Sequence, residues 1–241
     1  MRRTRLDVAL RQQGLVRSRS EAVDLIAAGR VTVNQRVSLS RAGLVSPEDV
    51  LEVSPGPRFV GRGGYKLHAA LEAFGIDVAG KDCLDIGAST GGFTDGLLQA
   101  GARTVVSVDV GHDQLADKLR SDPRVRDLEG TDIRSITASD LGGPFPLVVV
   151  DVSFISVTTL AATIAAMTAA GGDAVILVKP QFEVGREAVG RGVVRAAEEQ
   201  KAAVAQAVSA LEQAGFDSLA TMESPLAGEA GNREYFLWMR R

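Results

Sequence analysis

The stretch Cys83-Leu84-Asp85-Ile86-Gly87-Ala88-Ser89-Thr90-Gly91-Gly92-Phe93-Thr94 constrains the fold of this 241-residue chain more than any other. A short apolar run reaches an acid, passes through a glycine-rich turn and enters a helical pattern at Phe93, with Leu97 and Leu98 following. Glycines at 87, 91 and 92 let the backbone turn and approach a ligand where a Cβ would clash. The helix start beyond them leaves free N–H groups facing that ligand. The spacing is G-x-x-x-G-G, not the G-x-G-x-x-G of a dinucleotide fingerprint. A nucleotide-type crevice and a plain strand–helix turn both fit this stretch alone, so its neighbours have to choose.

Those neighbours alternate. Apolar runs at 83–86, 104–108, 147–150 and 174–178 are interleaved with helical patterns near 92–100, 113–120, 157–169 and 195–214. That alternation predicts an α/β fold with a parallel sheet. An extended segment near 216–222, a Pro/Gly-containing loop and the run Glu234-Tyr235-Phe236-Leu237-Trp238-Met239 predict a terminal antiparallel hairpin. Ligands of open α/β sheets bind beyond the carboxyl ends of the strands. Each predicted strand ends there in polar residues: Asp85, Asp109, Thr131-Asp132 after a segment near 125–129, Asp151 with Ser153, and Lys179 before Pro180. An antiparallel last strand would bring its beginning, Glu234, to the same rim. Asp109 suits two ribose hydroxyls, as in NAD or S-adenosylmethionine, and does not choose between them.

The amino-terminal part has a different character. Net charge is −3 overall, yet residues 1–66 carry +6 and residues 67–241 carry −9, which suggests a basic module joined to an acidic one. A short helix is expected from Leu6, and a second from the capping box Ser18-Arg19-Ser20-Glu21, ending at Gly29. Strands are expected at Val31-Thr32-Val33 and at Asp49–Val53. Arg2, Arg3, Arg5, Arg17 and Arg19 cluster around the helix starts; a solvated basic face and a phosphate-binding face both fit. Pro55-Gly56-Pro57 breaks structure, and Gly61, Gly63 and Gly64 make the next stretch pliable. The domains are therefore expected at 1–57 and 65–241, joined by 58–64. Leu67, Ala70, Leu71 and Phe74 then form a buried helical stripe, with Lys66 at the helix start and off that stripe. A cation there opposes the helix dipole. His68 on the same helix reads as a surface or satisfied histidine.

No stretch approaches the roughly 18 apolar residues that span a bilayer, and Arg2-Arg3 is followed by no apolar signal core. Cys83 lies in an apolar strand pattern and reads as a buried reduced thiol. A cytoplasmic location is expected, with no membrane contact, no metal site and no protein partner indicated.

Several motifs carry a resemblance. R-L-D-x-x-L, G-L-x-x-S-R-x-x-A and L-I-x-x-G-x-V-x-V-N, over roughly residues 5–53, resemble the small RNA-binding module named after the fourth small-subunit ribosomal protein. The match departs at Gln35, where a turn glycine is common. The resemblance implies that Arg2, Arg3, Arg5, Arg17 and Arg19 meet phosphates of a folded RNA by shape. Lys66, Asp151, Lys179 and Glu234 resemble the tetrad of the FtsJ-like RNA ribose 2′-O-methyltransferases. D-I-G-A-S-T-G-G-F-T, D-V-G-x-x-Q-L, D-P-R-V, D-V-S-F-I-S, L-V-K-P-Q-F-E-V-G and N-R-E-Y-F-L-W, in order behind that module, resemble the TlyA family across nearly the whole chain.

The TlyA resemblance implies a Rossmann-like class I methyltransferase sheet behind a small α+β RNA-binding domain. It implies S-adenosylmethionine held by Asp85, Gly87, Ala88, Ser89, Thr90, Gly91, Phe93, Asp109, Gln114 and Asp132. The implied substrate is a cytidine ribose of ribosomal RNA within ribosomal subunits, the large subunit first and the small subunit also open. Lys179 is expected to receive or steer the 2′-hydroxyl proton, with Lys66, Asp151 and Glu234 orienting it and the ribose. Four ordinary rim charges in surface ion pairs would be the plainer account. Gln181, Phe182 and Glu183 open a charged, glycine-punctuated loop, Gly185 to Gly192, that could border RNA or serve as a surface connection. Three other functions compete. A haemolysin has neither a signal nor a spanning segment here; an NAD-dependent oxidoreductase lacks its glycine spacing and explains neither the basic module nor the lysines. An RNA-binding protein with an inert second domain would bind RNA without transferring a methyl group.

Overall fold

The computed structural model describes residues 3–27, 29–54, 59–183, 193–194, 196–228 and 231–241. Arg2, the Pro55-Gly56-Pro57 break and the expected 185–192 loop lie outside them. The chain forms two compact units, Met1–Arg62 and Gly63–Arg241.

The first unit contains β1 (Thr4–Arg5), α1 (Leu6–Gln12), α2 (Arg19–Ala27), β2 (Val31–Val33), β3 (Arg36–Val37), β4 (Leu44–Val45) and β5 (Leu51–Val53). Leu6, Ala9 and Leu10 of α1 pack with Ala22 and Ile26 of α2 and with Val31, Val45 and Leu51 from the strands. Ser18 Oγ accepts the Glu21 N–H, but the Glu21 carboxylate accepts from Arg17 N rather than from Ser18, so the expected capping box is only half made. Strands β3, β2 and β5 form an antiparallel sheet in that order. The β2–β3 turn places Asn34 and Gln35 at φ 51° and 67°, the paired left-handed conformations of a type I′ turn. Asn34 is fixed by its side-chain bonds to Asp49 and to the Val50 N–H. Gln35 has no such local compensation among its described contacts, which is why glycine suits that position.

The second unit runs α3 (Arg62–Phe74), β6 (Asp82–Ile86), α4 (Gly92–Gln99), β7 (Thr104–Val108), α5 (Asp117–Arg120), β8 (Val125–Leu128), α6 (Ala138–Leu141), β9 (Phe145–Val150), α7 (Val157–Met167), β10 (Thr168–Val178), α8 (Pro180–Glu183), α9 (Ala197–Gln213), β11 (Asp217–Glu223) and β12 (Tyr235–Arg240). Seven strands form one sheet in the order β11-β12-β10-β9-β6-β7-β8. β6 to β10 are parallel where they pair, and β12 runs antiparallel to both β10 and β11. The expected terminal hairpin is present, with β12 inserted between β10 and β11. Central strands are buried on both faces: Leu147 to Val150 and Ala174 to Val178 are essentially inaccessible. This is why they read as unbroken apolar runs.

Two expectations are corrected. The glycines at 63 and 64 belong to the first turn of α3, so residues 62–64 are helix rather than a pliable joint. A Cβ on Gly92 would lie 3.1 Å from Gly63 Cα, and one on Gly63 would lie 3.2 Å from the Phe93 ring. These glycines allow close approach of α3 and α4. Lys66 consequently sits a full turn inside α3 and is buried, not at the helix start. The helical pattern near 113–120 shrinks to Asp117–Arg120. The amides of Asp113, Gln114 and Leu115 are instead bound by the Glu129 carboxylate, and Asp113 has φ 54°.

Gln35→Gly is expected to stabilise the first unit by about 1 kcal/mol, the usual cost of a left-handed non-glycine residue less the entropy of glycine. Hydrogen exchange of the β2 and β5 amides should slow accordingly. Unchanged or faster exchange would refute the strain.

Candidate active site

Strand order reverses around β6: the chain leaves it toward β7 and β8, then returns to β9 on its other side. The carboxyl ends of such neighbours leave a crevice. Here that crevice is a cleft of about 730 Å³, lined by Gly87, Ser89, Asp109, Gln114, Asp132 and Asp151 among the anticipated residues. Val110, Gly111, Ile133, Arg134, Ser153 and Phe154 also line it.

The glycine turn is held from below and behind. Gly87 has φ 87°, and a Cβ there would lie 2.4 Å from the Asp151 carbonyl oxygen. Only glycine fits between β6 and the chain leaving β9. Asp109 accepts the Ser89 N–H at 2.8 Å on one oxygen and the Gly111 N–H at 2.7 Å on the other. Ser89 Oγ donates to Gln114 Oε1 at 3.0 Å. The loop that carries Gln114 is clamped by Glu129, whose oxygens also take Arg120. Those backbone donors hold the Glu129 carboxyl below the usual carboxylate range.

Not every anticipated cofactor residue reaches the cleft. Asp85, Ala88, Thr90, Gly91 and Phe93 are absent from its lining. Asp85 is fully buried, accepts the Thr94 hydroxyl at 2.7 Å on one oxygen and has no donor for the other. Burial pushes its carboxyl up to about 7. Phe93 is buried and stacks on Phe236 at 6.0 Å. These two shape the turn from beneath, Asp85 from within β6 and Phe93 from the first turn of α4. Asp132 is in the lining but bound by the Arg134 guanidinium, which holds its carboxyl down to about 2. Burial raises the Cys83 thiol to about 12, an unreactive interior group.

The expected tetrad assembles as two ion pairs. Lys66 Nζ donates to Glu234 Oε2 at 2.6 Å, with the side chains 10% and 3% exposed. Lys179 Nζ lies 2.6 Å from Asp151 Oδ1 and donates to Ser153 Oγ at 2.8 Å. The Asp151 contact is one of charge, since Oδ1 has no aligned hydrogen-bond donor. Val178 faces Tyr235 across β10 and β12, so Lys179 and Glu234 follow on adjacent chains at one rim. Two buried or half-buried pairs converging there are more than scattered surface charges. Beside them stands Phe154, 92% exposed with φ 67° and its ring 5.2 Å from that of Phe182. Ser153 is one of the expected rim residues, whereas Phe154 and Glu129 are not singled out by the sequence. Phe154 has a signal, an aromatic three residues after a polar strand end, whereas Glu129 acts mainly through backbone amides no pattern reveals.

In the amino-terminal unit Arg5 and Arg19 both bind the buried Asp7 carboxylate, Arg19 at 2.7 Å. Burial would raise the Asp7 carboxyl, but the two guanidiniums hold it below its ordinary value. Arg5 and Arg19 keep half-exposed side chains, 46% and 53%, and Arg3 and Arg17 are exposed. His68 contacts Glu72 at 3.5 Å, away from the cleft lining.

Gly87→Ala is expected to cost about 2–4 kcal/mol of stability, from the positive φ and the overlap with Asp151. Denaturant unfolding followed through Trp238 measures it. A loss below about 0.5 kcal/mol would show that the β6–β9 crossing yields more than its geometry implies.

Comparison with known proteins agrees with this arrangement. Residues 59–241 match the FtsJ-like methyltransferase family, and residues 4–51 match the S4 domain. The 16S/23S rRNA (cytidine-2′-O)-methyltransferase TlyA of Mycobacterium tuberculosis is 46% identical over 99% of this chain and 90% of the relative. Hemolysin A of Brachyspira hyodysenteriae is 42% identical over 96% of this chain and 97% of its own. A solved structure from Streptococcus thermophilus, also named as a hemolysin, has a TM-score of 0.75 at 37% identity, covering 100% of this chain and 89% of that one. With its glycine-turn cleft, its two rim ion pairs and these matches along its length, the chain belongs to the FtsJ-like methyltransferases, among the TlyA proteins that carry an S4 domain ahead of the methyltransferase fold.

Proposed function

We propose that this protein is an S-adenosylmethionine-dependent 2′-O-methyltransferase acting on a cytidine ribose of ribosomal RNA. The adjacency of Lys179 and Glu234, each in its own ion pair, with Asp151 lining the glycine-turn cleft, carries the reading. The cleft fits the cofactor. Gly87 and Asp151 line it with their backbones in close approach, and the Asp109 carboxylate uses two acceptor sites on backbone amides and retains others for hydroxyls. Val110, Ile133 and Leu160 provide apolar wall for a base. Gly87, Ser89, Asp109, Gln114 and Asp132 would hold the cofactor, and Asp85 and Phe93 would support them from below. Bound S-adenosylmethionine supplies a methyl group already activated on a sulfonium.

The chain's own task is then alignment and handling of one proton. A ribose 2′-hydroxyl is a weak acid, so its oxygen must be placed and relieved of its proton as it attacks. Lys179 is the residue for that step. Asp151 and Ser153 engage its amine and fix the nitrogen on the rim, so that in its neutral form the lone pair can take the 2′-hydroxyl proton as the oxygen attacks. Lys66 and Glu234 orient the ribose beside it. Phe154 offers an exposed ring on which the target base can stack once out of its helix. Arg3, Arg5, Arg17 and Arg19, with Arg2, would bind phosphates of the folded RNA, with Asp7 setting the directions of Arg5 and Arg19. The basic module, 1–57, would thus deliver RNA to a catalytic domain ending at 241. The partner RNA would be met in ribosomal subunits, the large subunit first, and a cytoplasmic location follows from that substrate. Among the described residues no helix is long and apolar enough to cross a membrane.

Purified protein incubated with labelled S-adenosylmethionine and separated, unmodified ribosomal subunits should label one subunit's RNA at a ribose that resists alkaline cleavage. Lys179→Ala should lose at least about 100-fold in rate. No label on either subunit or on naked rRNA would sink the proposal, and full activity in the variant would remove Lys179 from it. Phe154→Ala should reduce turnover on RNA about tenfold, the worth of one stacked base. Its S-adenosylmethionine affinity should change by less than about threefold; equal losses in both would count against the stacking role.

A further inference from the structure

Two loops build the catalytic rim. One follows β9 and carries Asp151, Ser153 and Phe154; the other follows β10 and carries Lys179 into the short helix α8. They touch at Lys179 with Asp151 and Ser153, and again at Phe182 with Phe154. A third connection lies deeper. Glu183, only 9% exposed, accepts the Val157 N–H at 2.8 Å on Oε1 and the Ser156 hydroxyl on Oε2. Burial raises the Glu183 carboxyl, while these donors oppose the rise.

A carboxylate at the start of α7 is favourable to that helix. Yet α7 already has a cap of its own, since Ser156 Oγ accepts the Thr158 N–H at 3.1 Å. What Glu183 adds comes from outside the helix. It ties the last residue of α8 to the first of α7, and so closes the far end of a ladder whose near end is Lys179.

We propose that Glu183 is a positioning residue for methyl transfer, bracing the turn that carries Lys179 against the loop that carries Asp151, Ser153 and Phe154. The proposal rests on the reading of Lys179 as the group that handles the ribose proton. None of the Glu183 partners comes from β6, β7 or β8, the strands whose ends hold the cofactor side of the cleft. Loss of the brace therefore relaxes the lysine, while the glycine turn, Asp109 and the Gln114 loop keep supports of their own. An ångström of slack at a reacting group is enough to cost orders of magnitude in rate.

The test uses the full chain, the ribosomal subunit that the parent protein methylates, and a direct titration of S-adenosylmethionine. Glu183→Ala and the shorter Glu183→Asp should each lower kcat by roughly 10- to 100-fold, with the S-adenosylmethionine Kd within about twofold of the parent. Glu183→Gln keeps the length, accepts the Val157 N–H and can bond Ser156, so it should recover kcat to within about fivefold. Retention of kcat in Glu183→Ala, a Kd that weakens in step with kcat, or a Gln variant as slow as Ala would each overturn the proposal. Should the Ala variant fail to fold, an unimpaired Glu183→Asp would overturn it alone. A parent protein that transfers no methyl group would instead bring down the function on which it rests, an outcome read from the parent lane before any variant.

Discussion

The passage of the Asp151 backbone over Gly87 is the contact on which the rest of the site depends. The Asp151 N–H donates to the Ile86 carbonyl at 2.9 Å, extending the β6–β9 ladder past the strand ends, and the Asp151 carbonyl occupies the space where a residue-87 Cβ would stand. One glycine thus lets the cleft-lining turn after β6 meet the chain that carries Asp151, the acid that faces Lys179. The cofactor half and the transfer half of the site are joined through backbone, which has fewer soft degrees of freedom than any side chain.

Charge is treated differently in the two halves. On the cofactor side, two carboxylates accept backbone amides: Asp109 from Ser89 and Gly111, Glu129 from three successive N–H groups. Such acids act as struts. On the transfer side, acids face lysines, and Lys66 with Glu234 is withdrawn from solvent almost entirely. A buried pair of this kind contributes little net stability, because desolvation offsets most of the attraction. Its retention is better explained by what it orders, the carboxyl group that opens β12 beside the lysine that closes β10.

Much of this was legible from residues alone because parallel strands buried on both faces write themselves as apolar runs, and the polar residue that ends each run marks the rim. Asp109, Asp151, Lys179 and Glu234 were found by that rule. The rule has no access to depth. Gly63 and Gly64 read as a pliable joint, although they are the small residues that let α3 press on α4, and so Lys66 was placed a turn too shallow. Nor does periodicity register competition for amides. Residues 113–116 have a helical pattern, but Asp113 stands at φ 54° and Glu129, more than a dozen positions away, holds the amides of 113–115, so the helix begins only at Asp117. Asp85 and Phe93 sit in the motif yet point inward, because a tight turn divides its residues between ligand and core in a way spacing cannot show.

The same limit explains why the supporting residues are the least visible. A lysine at a strand end is conspicuous; the group proposed to brace it, Glu183, is an acid that contacts backbone at the start of α7. Such partners are N–H groups that every residue but proline possesses, so no residue pair in the sequence marks the contact. Placement of Lys179 is therefore spread over two loops and three kinds of contact: charge with Asp151, ring packing between Phe154 and Phe182, and a helix cap at Glu183. An arrangement with three dissimilar supports resists displacement in more directions than one strong bond would. For a reaction whose difficulty is alignment rather than activation, rigidity of that kind is the protein's main contribution.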